Sequence, residues 1–261
     1  MKAHFFKAVT AVTALTAVMA TNDIAKAASF TCSTIDGAGN DATRICSTSL
    51  APSLTDIIDE SLFLPQFNSS ELGTLNSVTL EFTGLLAGGA GFESKDAKST
   101  TITVELGGLL TLQDLNGQSL FALNPKKSYN YSVTNYDGII NFAGTSGKTI
   151  DGVTAQQTGQ KIYTGSELAT FIGAANIEYL FSAEAKSKVT GTGNIISYVD
   201  TFAGADLKVS YQYTRKVPEP SVIFGLGAAV ILAILVERKK FSKKASNELE
   251  VKLQTKIDTE L

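Results

Sequence analysis

Apolar and polar residues alternate with a period of two through the middle of the chain. Val78, Leu80 and Phe82 alternate with Thr79, Glu81 and Thr83, and Ile102, Val104 and Leu106 with Thr101, Thr103 and Glu105. Tyr129, Tyr131 and Val133 alternate with Asn130, Ser132 and Thr134. Leu207, Val209, Tyr211 and Tyr213 alternate with Lys208, Ser210, Gln212 and Thr214. Successive side chains of a strand point to opposite faces, so each run predicts a strand with one buried and one wet face. The pairs Gly88-Gly89, Asn116-Gly117, Asp137-Gly138 and Asp151-Gly152 read as turns, and the glycine-rich stretch Gly84–Gly91 as a flexible inter-strand loop. Residues 166–172 alone look helical, with Ser166 as the N-cap. Many short strands at this spacing predict an all-β fold, an antiparallel β-sandwich of jelly-roll-like or Ig-like type, over residues 28–216.

The two ends follow other rules. Residues 1–27 have the three parts of a secretory signal peptide: Lys2 and Lys7 in a positive n-region, an apolar stretch from Ala8 to Ala20, and the Ala25-Lys26-Ala27 cleavage site. Mature protein then starts at Ala28. At the other end, Val217-Pro218-Glu219-Pro220 precedes sixteen uncharged residues, Ser221 to Val236, and then Glu237, Arg238, Lys239 and Lys240. As an α-helix that run reaches about 24 Å, short of a typical hydrocarbon core of about 30 Å. Flanking Arg and Lys side chains that snorkel close the gap. The expected element is a single C-terminal transmembrane helix over 221–236, with Arg238, Lys239 and Lys240 as a cytoplasmic basic stop and the β domain outside the cytoplasm. The prolines favour an extended segment just before the helix, open to an enzyme.

Residues 217–240 resemble the PEP-CTERM sorting signal, in which a Pro-Glu-Pro motif precedes a short membrane helix and a basic cluster. The resemblance implies recognition of Val217, Pro218, Glu219 and Pro220 by an exosortase, an integral-membrane, Cys-dependent transpeptidase-like protease of bacteria that make exopolysaccharide. Family members usually end at the basic cluster, whereas this chain continues from Phe241 to Leu261. Residues 241–261 read as a solvated cytoplasmic tail. Leu249, Leu253, Ile257 and Leu261 recur every fourth residue and offer an amphipathic helix as the alternative. A second resemblance lies in the middle. Leu64-Pro65-Gln66-Phe67-Asn68-Ser69-Ser70, running into Gly73-Thr74-Leu75-Asn76-Ser77-Val78-Thr79-Leu80, is similar to the opening of the choice-of-anchor E domain, and Val209 to Thr214 to its closing strand. It implies an exported domain with no established catalytic residues to carry over.

Charge and composition narrow the chemistry. From Ala28 to Val217 there are 12 Lys and Arg against 18 Asp and Glu, a net of −6. An acidic domain is a poor nucleic-acid binder. The sole histidine is His4, inside the signal peptide, so the mature domain has no Ser-His-Asp triad, Cys-His dyad or histidine-ligated metal. The chain has no Trp, which removes Trp-based sugar platforms. Cys32 and Cys46 are the only cysteines; in an exported chain they read as a disulfide, contributing roughly 3 kcal/mol, with two free thiols as the alternative. The oxygen-rich run Asp36-Gly37-Ala38-Gly39-Asn40-Asp41 lacks the EF-hand spacing and reads as a turn before it reads as a Ca²⁺ loop. Asp56, Asp59 and Glu60 read equally as a solvated face. Tyr129, Tyr131, Tyr211 and Tyr213 read as core before sugar-stacking rings.

Three functions remain. The first is a non-enzymatic cell-surface or extracellular-matrix protein, with no cofactor, exported by the secretion machinery and signal peptidase, held in the inner membrane, and released or displayed after exosortase processing. The second is a carbohydrate- or Ca²⁺-binding adhesion module, with exopolysaccharide as a partner, delivered by the same route. The third is a hydrolase working through paired carboxylates.

Overall fold

The computed structural model describes residues 29–216; the signal peptide, the sorting motif, the membrane span and the tail expected above lie outside the described residues. Among the described residues eleven strands form two sheets, and every pairing between them is antiparallel. The first sheet contains β1 (Thr31–Asp36), β2 (Asp41–Leu54), β4 (Gly73–Ser94), β8 (Gly147–Tyr163) and β11 (Ile195–Arg215), in the order β1-β2-β11-β4-β8. The second contains β3 (Ile57–Pro65), β5 (Thr100–Asp114), β6 (Ser119–Leu123), β7 (Lys126–Val133), β9 (Asn176–Ala185) and β10 (Lys188–Gly191). Here β5 is the hub. Its first half pairs with β7 on one edge and β10 on the other, its second half with β6 and β9, and β3 lies beyond β9. This is the expected all-β antiparallel sandwich. Among the described residues no helix is long and apolar enough to cross a membrane.

The alternation read from sequence sets the layers. Val78, Leu80 and Phe82 of β4 and Leu207, Val209, Tyr211 and Tyr213 of β11 are buried on the inner face of the first sheet. Ile102, Val104 and Leu106 of β5 and Val133 of β7 are buried on the second. Phe82 bridges the layers, its ring 6.0 Å from Phe181 and 5.7 Å from Phe121. Aromatic pairs add to the area they bury.

The segment likened above to a domain opening is a latch. Phe67 is buried between Tyr211 and Tyr213, with ring centroids 5.7 and 5.1 Å away. The Tyr211 hydroxyl donates to the Pro65 carbonyl at 2.6 Å. Burial pushes that phenol's pKa well above its ordinary value, so it stays a donor at any working pH. Gly73 has φ of +128°, and a Cβ there would lie 2.2 Å from the Thr214 carbonyl oxygen, so β4 begins where only glycine fits.

Several readings are corrected. Gly84–Gly91 is no loop: it is the middle of β4, paired with β11 on one side and β8 on the other. Its glycines serve close approach rather than flexibility; a Cβ at Gly88 would lie 2.2 Å from the Asp200 carbonyl oxygen. Gly88-Gly89 and Asp151-Gly152 are therefore not turns between strands. They face each other across a β-bulge in the β4–β8 pair, with Gly152 at φ +68°. Asn116-Gly117 does turn β5 into β6, and Asp137-Gly138 lies in the loop between β7 and β8. The expected helix at 166–172 is a 3-10 helix, Gly165–Phe171, and its N-cap is Thr164 rather than Ser166. A one-turn helix α1 (Ser69–Leu72), capped by Asn68, escaped the pattern because four residues carry no period.

Two predictions test this packing. Phe82→Ala empties the space between the layers and is expected to cost about 3–5 kcal/mol in chemical denaturation. In the second sheet Glu105 of β5 is held by Lys126 of β7 at 2.7 Å and Lys188 of β10 at 3.6 Å. The hydrogen bond from Lys126 leads in lowering its carboxyl pKa below 4.5. A lowered folded-state pKa gives stability that is present at neutral pH and lost as pH falls through it. Glu105→Gln is therefore expected to lose about 0.5 kcal/mol at pH 7, and the difference from wild type should close when denaturation is repeated near pH 3.

Candidate functional site

The outer face of the first sheet carries the polar half of the alternation. Register aligns its side chains in rows across the strands. One row runs Thr31, Ser47, Lys208, Glu81 and Gln160, from β1 to β8. The next runs Ser49, Asp206, Thr83 and Thr158. The stretch Ser29–Thr31 lies beside β2, tied by the Thr48 hydroxyl donating to the Ser29 carbonyl at 2.9 Å. Together they enclose an open groove of about 420 Å³, lined by Phe30, Ser47, Glu81, Thr83, Asp206 and Lys208 among others. Lys208 Nζ lies 2.5 Å from Glu81 Oε1, so the groove's cation is already engaged. What remains is a bed of hydroxyls and carboxylate oxygens suited to hydrogen bonding.

The cysteines sit next to this groove. Cys32 of β1 stands directly opposite Cys46 of β2, and their sulfurs are bonded. Cys46 is buried and Cys32 packs against the core. The bond fastens the edge strand β1, and with it the wall of the groove. There are no free cysteines among the described residues.

At the far end of the same face lies a residue that sequence reasoning missed. Glu93 of β4 is fully buried. Its carboxylate accepts from the Ser146 hydroxyl at 2.5 Å, the Phe142 amide at 2.9 Å and the Asn141 amide at 3.4 Å. The loop 134–146 is thereby folded over the end of the sheet, and Phe142 is held at φ +53°. A buried carboxylate must find donors, and here they are the loop's own backbone. The signal was visible: Glu93 is a charge that ends a stretch of nine uncharged small and apolar residues, Gly84 to Phe92. Exposed Ile139 and Ile140 stand on this loop.

Other sequence candidates land in structural roles. Asp36 to Asp41 forms the β1–β2 turn, with Asp36 bound to Arg215 and Asp41 accepting from the Thr214 hydroxyl. Asp56 accepts from the Ala185 amide and Asp59 from the Ser182 hydroxyl, which fixes β3 against the end of β9. Among the described residues no group of three or more His, Cys, Asp and Glu is placed to hold a metal ion. Tyr211 and Tyr213 are core, and Tyr129 and Tyr131 are half-buried against it, so these four form no sugar platform.

No known protein family matches the chain, and neither does any curated protein. Among solved structures it is similar to a chain of infectious bursal disease virus Gx strain, at 9% identity and a TM-score of 0.15, covering 84% of this chain and 52% of that one. A chain of the Gt strain gives 11% identity and 0.12, covering 88% and 56%. The CBM22-1 xylan-binding domain from Paenibacillus barcinonensis Xyn10C gives 11% identity and 0.15, covering 72% and 83%. This chain thus spans about half the length of the viral chains it matches. Likeness at these scores carries no argument about function.

Glu93→Ala is expected to strand the Ser146 hydroxyl and the Phe142 amide, costing about 2–3 kcal/mol. Hydrogen exchange should show the Asn141 and Phe142 amides losing protection while those of β5 and β9 keep theirs.

Proposed function

We propose that this chain is an exported, non-enzymatic cell-surface or extracellular-matrix protein, sorted by an exosortase. The observation that carries the reading is the Cys32–Cys46 disulfide. Such bonds persist in oxidising compartments and are rare in the cytosol. A signal peptide cut between Ala27 and Ala28 supplies the route. The domain then folds outside the cytoplasm, held at the inner membrane by helix 221–236 with Arg238, Lys239 and Lys240 on the cytoplasmic side.

The domain's last turn supports the placement of the motif. Arg215 donates its amide to Asn40, and Lys216 its amide to Leu72. The fold is closed at Lys216, and the proposed recognition sequence Val217-Pro218-Glu219-Pro220 follows at once. An exosortase then meets an extended, proline-fixed segment between a folded domain and the bilayer, and release or surface attachment follows its action.

Intact mass of the protein from its native host, with and without the exosortase, tests the reading. The expected species begins at Ala28, carries the disulfide, and ends near Pro220 only when the exosortase is present. A species that keeps Leu261 in both strains would overturn the sorting claim, and one with two free thiols would overturn the placement outside the cytoplasm.

A further inference from the structure

The glycines of β4 do more than admit neighbouring strands. On the outer face, Gly91 pairs with Tyr198 of β11 and with Thr149 of β8. A Cβ at Gly91 would lie 2.1 Å from Tyr198 Cε1 and 2.6 Å from its Cζ. The tyrosine ring therefore lies over the glycine, in the space a side chain would fill. It stays 42% exposed, and Phe142 of the clamped loop meets it edge-on with ring centroids 5.2 Å apart. Two residues along, Asp151 Oδ1 lies 3.1 Å from the place of a Gly89 Cβ. The β-bulge at Asp151-Gly152 is what brings this carboxylate over the strand.

Adjacent outward positions of a strand are about 7 Å apart, so an aromatic ring and a carboxylate stand side by side on a floor of glycine. Phe202, also exposed, lies four residues beyond Tyr198 on the same face, about 13 Å away. Asp200 is exposed between them. The result is a linear strip: two rings spaced along β11, two carboxylates, and the small floor Gly91, Gly89 and Ala87.

We propose that this strip binds a polysaccharide chain without acidic groups, neutral or amino-sugar. Three observations choose that occupant. The rings offer apolar faces to sugar C–H groups, and Asp151 and Asp200 accept hydrogen bonds from sugar hydroxyl or ammonium groups. Charge excludes acidic polymers: the formal charges at the outward positions of these strand segments are those two carboxylates, on a domain of net −6. Finally, β4 is hydrogen-bonded on both sides, so the floor has no free edge for an added peptide strand. Recognition must run through side chains. The site does not depend on the export route proposed above, and the test uses purified protein, so failure of one leaves the other standing.

Detergent-solubilised full-length chain is sedimented with insoluble cellulose, chitin and chitosan, with soluble alginate as acidic competitor. Retention on at least one of the three, not displaced by alginate, is the expected result. Tyr198→Ala should weaken it by about tenfold or more, the loss of one buried ring face, in protein whose circular dichroism shows the fold retained at the assay temperature. Tyr198→Phe keeps the ring and should bind nearly as wild type, and Asp151→Asn should bind less than wild type. Retention on none of the polymers, displacement by alginate, or undiminished binding by Tyr198→Ala would each overturn the proposal.

Discussion

The pairing of β4 with β11 is the constraint on which the rest of the structure depends. It runs unbroken in direction from Gly73 opposite Arg215 to Ser94 opposite Ile195. A slip of one residue would exchange the faces of both strands and send Phe82, Val209 and Tyr211 into water. The pair is pinned at one end by the fit of Gly73 against Thr214 and by Phe67 under Tyr211 and Tyr213. At the other it is pinned by Tyr198 lying over Gly91. β2 and β8 add to its two sides, so the register of the whole first sheet is inherited from it.

That register also decides what the outer face can do. The inward positions are apolar and close-packed, so chemistry is left to the outward ones. Near the Gly73 end these are hydroxyls and an ion pair. Near the Ser94 end the outward side chains of β4 shrink to glycine, and side chains from β11 and β8 lean over it. Glu93 belongs to the same set of outward positions. It is buried because the loop 134–146 covers it, and the cost of that burial is offset by three donors from the loop.

How much of this the sequence showed depends on the range of the interaction. The strands containing Val78 to Phe82 and Leu207 to Tyr213 were legible because a period of two is local. Gly84–Gly91 was misread because a glycine run has the same composition in a loop as in a strand crowded by its neighbours. Only Asp200 and Tyr198, more than a hundred residues away, distinguish the two. Asp151-Gly152 misled for a similar reason: the left-handed residue a turn requires is also what a bulge requires. Of the candidate site, the disulfide was readable from cysteine count and context. Tyr198 was not, since it belongs to no alternating run, while the tyrosines that do are core (Tyr211, Tyr213) or half-buried against it (Tyr129, Tyr131).

The long strands give the domain two unlike poles. Lys216, where the described chain ends, sits beside Gly73 and the β1–β2 turn. Tyr198 and the loop held by Glu93 sit at the other end of the same strand, about 60 Å of extended backbone away. A domain tethered through Lys216 therefore carries its aromatic strip at the pole remote from the tether. The proposed tether and the proposed strip thus fall at opposite ends of one strand pair, joined by the continuous β4–β11 register.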